Sequence, residues 1–322
     1  MAQVETVRGP VEVDSLGLTL MHEHIFVLNE EVRQNYPADY PAGWDEDAQV
    51  DGAITKLNAV AARGCQTIVD PTVLGLGRDL HRIRRVADGT DVNIVVATGL
   101  YTYNDVPFYF KYRLPGAGET DPMTQLFVSD ITTGIADTGV KAAFLKCAVD
   151  EPGMTPGVER VLRAVSRAHA ETGAPITVHT HPHSGTGREV VRVLREEGAD
   201  LSKVVLGHSG DSTDLDYLTE LADTGCLLGM DRFGIDVITS FENRVDTVAA
   251  MCKRGYAESM VLSHDAACLI DWFPQELIPM FAPSWNFLHL FDDVLPALRA
   301  RGVTSAMIDT MLVTNPRRYF GG

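Results

Sequence analysis

Residues 156–181 read PGVERVLRAVSRAHAETGAPITVHTH. The first seventeen residues, Pro156–Thr172, mix Ala, Arg and Glu with apolar residues at helical spacing, and Gly173 follows as a stop. The run Ile176–His179 is apolar, β-branched and too short for a helix, so it predicts a strand buried on both faces. A helix, a glycine and a buried strand within so few residues make one unit of a parallel sheet.

The unit recurs in both directions along the chain. Strands are predicted at Leu18–Met21, Cys65–Asp70, Val92–Gly99, Ala142–Ala148, Ile176–His179, Val204–His208, Cys226–Met230 and Met260–His264. Helices are predicted at Asp51–Arg63, carrying Ile54, Leu57, Val60 and Ala61, and at Arg188–Glu197 and Asp214–Thr224. Gly64, Gly198 and Gly225 end them. Eight units point to an α/β fold of the (β/α)₈ TIM-barrel type over residues 1–322, with no linker dividing the chain. An open doubly wound sheet would more often place a Gly-rich phosphate loop after the first strand, where this chain has His22-Glu23-His24. The segment Ala266–Phe291 breaks the rhythm with two Trp, several Phe and several aliphatic residues. It reads as a long loop at the barrel mouth, where such loops shape substrate sites.

Composition narrows the class. With 27 Lys and Arg against 44 Asp and Glu, the formal charge is −17, which repels phosphate backbones and argues against nucleic-acid binding. No run of 18 apolar residues is present for a membrane span, and the first twenty residues lack a signal-peptide core. Five scattered cysteines without a CxxC pair suggest a reduced, cytoplasmic protein with no disulfide framework.

The ends of the predicted strands carry the chemistry. Strand one runs into His22 and His24, strand four contains Lys146, strand five ends at His179, strand six at His208 and strand eight at His264-Asp265. A barrel brings these ends to one mouth. His22 and His24, two apart on a strand, share a face and can chelate one ion. Imidazole and carboxylate donors suit Zn, Fe, Co or Mn better than Ca. No GxSxG nucleophile elbow occurs, and a bound metal ion would supply an activated water instead. A free ammonium beside two dications is repelled, so Lys146 must be neutralised by a carboxylate, distant, or modified.

The segments TLMHEH, TIVDPT, ATGLYTY, FLKCAVDEPG, ITVHTH, VLGHSGD, MDRFGID and LSHD, in this order, resemble the phosphotriesterase-like lactonases of the amidohydrolase superfamily. LYTYNDVPFYF and the apolar stretch after Asp265 bring the resemblance closest to the lactonase branch. The resemblance implies two divalent ions, Zn, Co, Fe or Mn. His22, His24 and Asp265 would hold the buried ion and His179 and His208 the exposed one. Lys146, carboxylated to a carbamate, would bridge the two. A formal charge of about +1 would then remain to stabilise an oxyanion.

The resemblance further implies that Asp265 shuttles a proton and that Tyr101 orients the substrate, though Tyr101 also reads as a packed aromatic. Arg232 would line the pocket or pin the long loop, and Cys268, Leu269 and Trp272 would form its wall, with Cys268 an unreactive thiol. His181 and His183 read as loop residues, and Glu23, pointing away from its neighbours, as a buried partner of another group. The implied activity is lactonase action on N-acyl-homoserine lactones, which would quench quorum signalling, with weak turnover of organophosphate triesters. A primary phosphotriesterase and a non-catalytic metal-binding barrel are the alternatives. A homodimer is implied too, with Phe108, Tyr109, Phe110 and Tyr112 at the contact or in the pocket.

Overall fold

The computed structural model describes residues 2–38, 40 and 44–321. Eight parallel strands hydrogen-bond in chain order: Leu18–Leu20, Cys65–Asp70, Asn93–Gly99, Phe144–Val149, Ile176–Thr180, Val204–Gly207, Leu227–Met230 and Met260–Leu262. They form the nearly closed (β/α)₈ barrel that the alternation predicts, with helices packed between successive strands. The helix Pro156–Thr172 has its predicted bounds. Thr155 caps it by accepting from the Val158 amide, Pro156 sits where no amide hydrogen is needed, and Gly173 takes the left-handed conformation that ends it. The helix predicted at Asp51–Arg63 begins five residues earlier and spans Glu46–Ala61, because Asp45 caps it through the Ala48 amide.

Strand alternation sorts the core into two layers. In the fourth strand Phe144 packs inside the barrel with Val69, Val95, Val205 and Val261, while Leu145 and Cys147 face the helices. Lys146 shares the Phe144 face and so stands above that apolar plug. Below it, Tyr319 of the C-terminal helix Asn315–Gly321 reaches Thr177, hydroxyl to hydroxyl at 2.9 Å, and closes the bottom. All five cysteines are free and buried. Burial pushes the thiols of Cys65, Cys147 and Cys268 up to about 12 and those of Cys226 and Cys252 up to about 11.

The barrel closes without an eighth ladder between its first and last strands. The first strand stops at Leu20 and the eighth at Leu262, each short of its predicted end. Past those points the His22 amide donates to Ser263 Oγ at 3.0 Å, Asp265 N–H to the His22 carbonyl at 3.0 Å, and His24 N–H to the Ala266 carbonyl at 2.7 Å. The chain segments then pair in parallel, His24–Val27 with Ala267–Ile270. His22 therefore lies in a bend and His24 opens a second short strand, in place of one continuous HxH strand. The segment after Asp265 is likewise not all loop: it contains that strand, the short helix Ile278–Phe281 and a wide-turned helix from Leu290.

Candidate metal centre and active site

The seam just described brings the two ends of the barrel sequence together. Asp265 Oδ1 lies 3.3 Å from His22 Nε2 and 3.2 Å from His24 Nε2. The ligand atoms of the three side chains fall within 4.8 Å of one another. Lys146 Nζ stands 3.5 Å from His22 Nε2, its one polar side-chain contact among the described residues. Among the described residues no carboxylate pairs with it at contact distance, and burial lowers its pKa to about 8 against the opposing pull of Asp265 and Asp231. Gly99 makes room for this strand. A Cβ on Gly99, at φ +147°, would lie 1.8 Å from the Lys146 carbonyl oxygen.

Carboxylates behind the rings fix which nitrogen of each histidine is free. Asp231 is fully buried, with Oδ2 3.0 Å from His22 Nδ1 and Oδ1 3.0 Å from His208 Nδ1. A carboxylate only accepts, so both Nδ1 atoms carry hydrogen and both Nε2 atoms keep a lone pair. Thr72 spends its hydroxyl hydrogen on Asp70, so Thr72 Oγ1 accepts from His24 Nδ1 at 2.7 Å and frees His24 Nε2. His179 is turned the other way. Its Nε2 donates to Asp150, leaving Nδ1 as acceptor, 3.0 Å from the Tyr101 hydroxyl. Burial alone would raise the Asp150 carboxyl, but the hydrogen bond from His179 holds it below the usual carboxylate range.

His22, His24, Lys146, His179, His208 and Asp265 all border one cavity of about 580 Å³. Such a donor set, with each ring locked from outside, fits divalent metal ions. A second ligand-like group, His22, His208 and Asp231, uses the outward-facing Nδ1 atoms and is better read as the support of the first. Two of the three non-glycine residues with positive φ among the described residues are here, His208 at 67° and Asp265 at 54°. Left-handed backbone costs about 1–3 kcal/mol for such residues and persists where surroundings over-determine it.

Arg232 spans the centre's rim. Its Nε donates to Asp265 Oδ2 at 3.0 Å and its Nη1 to Asp211 Oδ2 at 3.0 Å. Burial opposes the charge on Arg232, yet Asp265 and Asp211 raise its pKa above the ordinary value, so it stays a cation. Tyr101 pairs its hydroxyl with Tyr103 at 2.6 Å, and burial raises its pKa. Away from these groups the cavity wall is apolar, with Ile235, Ile238, Ile270, Trp272, Phe273 and Leu277.

Two residues expected in the wall are elsewhere. Cys268 and Leu269 do not border the cavity. Both pack with the cluster between barrel and helices, because the strand Ala267–Ile270 presents Ala267 and Ile270 to the cavity instead. His264 is also not at the centre. Glu23 accepts from its Nδ1, from the amides of His264 and Ala266 and from Ser263 Oγ, locking the seam from behind. His181 and His183 lie in the short turn after the fifth strand and do not border the cavity. Sequence reasoning missed Asp231, Asp150 and Asp70 as partners of the histidines. Their shared signal was a lone acid at, or just past, the C-terminal end of a buried strand.

The family model described as "Phosphotriesterase family" matches residues 2–320. The chain belongs to the phosphotriesterase family. It is 59% identical over 322 residues to the "Phosphotriesterase homology protein" of Mycobacterium tuberculosis, covering 99% of this chain and 98% of that one. It is 40% identical over 315 residues to the "Aryldialkylphosphatase" of Saccharolobus solfataricus, covering 97% and 98%. The solved "Structure of the phosphotriesterase from Mycobacterium tuberculosis" superposes with a TM-score of 0.95 at 57% identity, covering 99% and 98%. As a phosphotriesterase-family protein, this chain is a hydrolase with His and Asp groups that can bind metal. No helix among its described residues is long and apolar enough to cross a membrane.

Proposed function

We propose that this hydrolase opens lactones, N-acyl-homoserine lactones foremost, and turns over organophosphate triesters more weakly. The observation that carries the reading is the cavity's division. Its polar groups gather around His22, His24 and Asp265, while Ile235, Ile238, Trp272, Phe273 and Leu277 form an apolar wall fit for an acyl chain. We assign His22, His24 and Asp265 to one divalent ion, His179 and His208 to a second, and Lys146, as a carbamate, to both. The isolation of Lys146 from any carboxylate partner supports that modification. Bound there, two ions such as Zn, Co, Fe or Mn would supply Lewis acidity and an activated water.

The protein's own groups do the rest. Asp265 takes the proton given up by the attacking water and returns it to the ring oxygen as the acyl–oxygen bond breaks. Arg232 holds Oδ2 of the same carboxylate, so it cannot swing away, and being permanently charged it relays no proton itself. The Tyr101 hydroxyl, beside His179, orients the bound carbonyl. The exposed Phe108, Tyr109 and Tyr112 are the face we assign to a homodimer.

A primary phosphotriesterase is the second reading, favoured by the name of the Saccharolobus relative. A non-catalytic barrel is the third. The test is kcat/KM for an acyl-homoserine lactone and for an aryl dialkyl phosphate on one preparation, with and without chelator. Lactone preference abolished by chelator supports the proposal. Triester preference establishes the second reading, and no turnover of either substrate by metal-loaded protein overturns both.

A further inference from the structure

The loop between the seventh strand and the helix Phe241–Lys253 supplies Arg232, Ile235, Val237 and Ile238 to the cavity wall, yet it consists of turns alone. Val237 and Ile238 stand 64% and 41% exposed, so packing alone does not hold them in place. What holds the loop lies beneath it. Arg244, 2% exposed and outside the cavity, donates Nε to the Thr239 carbonyl at 3.1 Å, Nη1 to Gly210 at 2.9 Å and Nη2 to Ile235 at 3.3 Å. Its Nη2 also lies 2.7 Å from Asp211 Oδ1. Asp211 thus sits between two guanidinium groups, with Arg244 on Oδ1 and Arg232 on Oδ2. Thr239 returns a hydrogen bond to the Asp211 carbonyl at 2.8 Å. The charges alternate along the chain Arg244, Asp211, Arg232, Asp265, each within 3.0 Å of the next, although Asp211 Oδ1 faces Arg244 as an ion pair without hydrogen-bond geometry.

We propose that Arg244 is a positioning residue that sets substrate specificity. It clamps the loop so that Ile235, Val237 and Ile238 form a wall of fixed shape, and it aims Asp211 to hold Arg232 against Asp265. The proposal rests on the reading that this cavity binds the substrate. A planar fork is required, because three carbonyls are held by three separate nitrogens while the same group lies against a carboxylate. A lysine ammonium offers three donors from one point and can keep the charge pair but not the clamp.

The test compares Arg244→Lys and Arg244→Met with the unaltered protein. Hydrogen exchange by mass spectrometry follows the peptide covering residues 231–240. Metal content, melting temperature, and kcat and KM for short-chain and long-chain acyl lactones are measured on the same preparations. For Arg244→Lys we expect unchanged metal content and folding, and loop amide exchange faster by about tenfold or more, since local opening is no longer clamped. KM for the long-chain lactone should rise about five- to tenfold while kcat for the short-chain one changes less than about twofold, the pattern of lost binding. Arg244→Met, which also removes the charge facing Asp211, should exaggerate the loop exchange and add a fall in kcat on both lactones. If it does not fold, the lysine variant alone decides. For Arg244→Lys, unchanged loop exchange overturns the proposal, as does an equal loss on both substrates. Should the unaltered protein open no lactone, the functional reading fails by itself, and the exchange measurement still decides whether Arg244 holds the loop.

Discussion

Asp231 Oδ2 grips His22 from the far side of its ring, 3.0 Å from Nδ1, while Oδ1 of the same carboxylate holds His208. One buried acid just past the seventh strand thereby orients histidines just past the first and sixth. Burial would raise its carboxyl, but His208 and His22 hold it well below the usual range, so it remains an anion and an acceptor.

Asp231→Asn removes an acceptor and places an amide N–H against at least one ring. One histidine must flip its hydrogen or lose its partner. We expect metal affinity to fall about 10- to 100-fold, the usual cost of losing such a supporting group. Competition against a chromogenic chelator measures it, with circular dichroism to confirm the fold. Affinity equal to the unaltered protein's would show that the histidines hold their orientation without Asp231.

Lys146→Ala should lower bound metal from two ions to one or none, and a short carboxylate such as propionate should restore part of both metal and activity. Elemental analysis before and after dialysis with the acid reads this out. Two ions retained at full activity without added acid would end the carbamate assignment.

Asp265→Asn keeps the side-chain shape, and Asn tolerates the left-handed backbone that Asp265 adopts at φ 54°. Turnover should fall by about 10² to 10⁴, the worth of general acid–base catalysis, in molecules shown to retain metal. Near-normal turnover with both ions present would remove Asp265 from proton transfer.

Trp272→Ala and Leu269→Ala should behave oppositely, because Trp272 borders the cavity and Leu269 packs against the outer core. Each buried CH₂ of a ligand contributes about 0.8 kcal/mol, so losing the Trp272 wall should selectively weaken long-chain lactones. Leu269→Ala should lower the melting temperature and leave the chain-length profile flat. A kcat/KM series with thermal melting separates the two. Equal losses at every chain length for Trp272→Ala would remove it from the acyl site.

Strand ends were legible in the sequence because buried parallel strands are short apolar runs, and a polar residue at their C-terminal limit stands out. His179 after Ile176–Val178 was visible for that reason, and Lys146 because it is a lone charge inside the apolar fourth strand. The seam was not legible, since it depends on single hydrogen bonds between residues more than 240 positions apart, such as His22 with Ser263 and Glu23 with Ala266. Asp231 stood in the quoted MDRFGID yet was passed over for Arg232, because sequence order does not tell which side of a histidine an acid will occupy. Cys268 and Leu269 were placed in the wall on the family resemblance and the apolar composition of their segment, neither of which tells the cavity side of a strand from its core side.

The burial of every native thiol turns the folded chain into a silent background for cysteine chemistry. Thiolate is the reactive form, and five sequestered thiols with raised pKa values present almost none of it. A cysteine introduced at Met280, which is 78% exposed near the cavity-lining Leu277 and Phe281, would be the one addressable handle on the mouth. A dye attached there would report ligand entry without removing any native residue of the barrel core. The untouched protein offers the complementary signal, since the moment its five native thiols become alkylated marks the opening of the barrel itself.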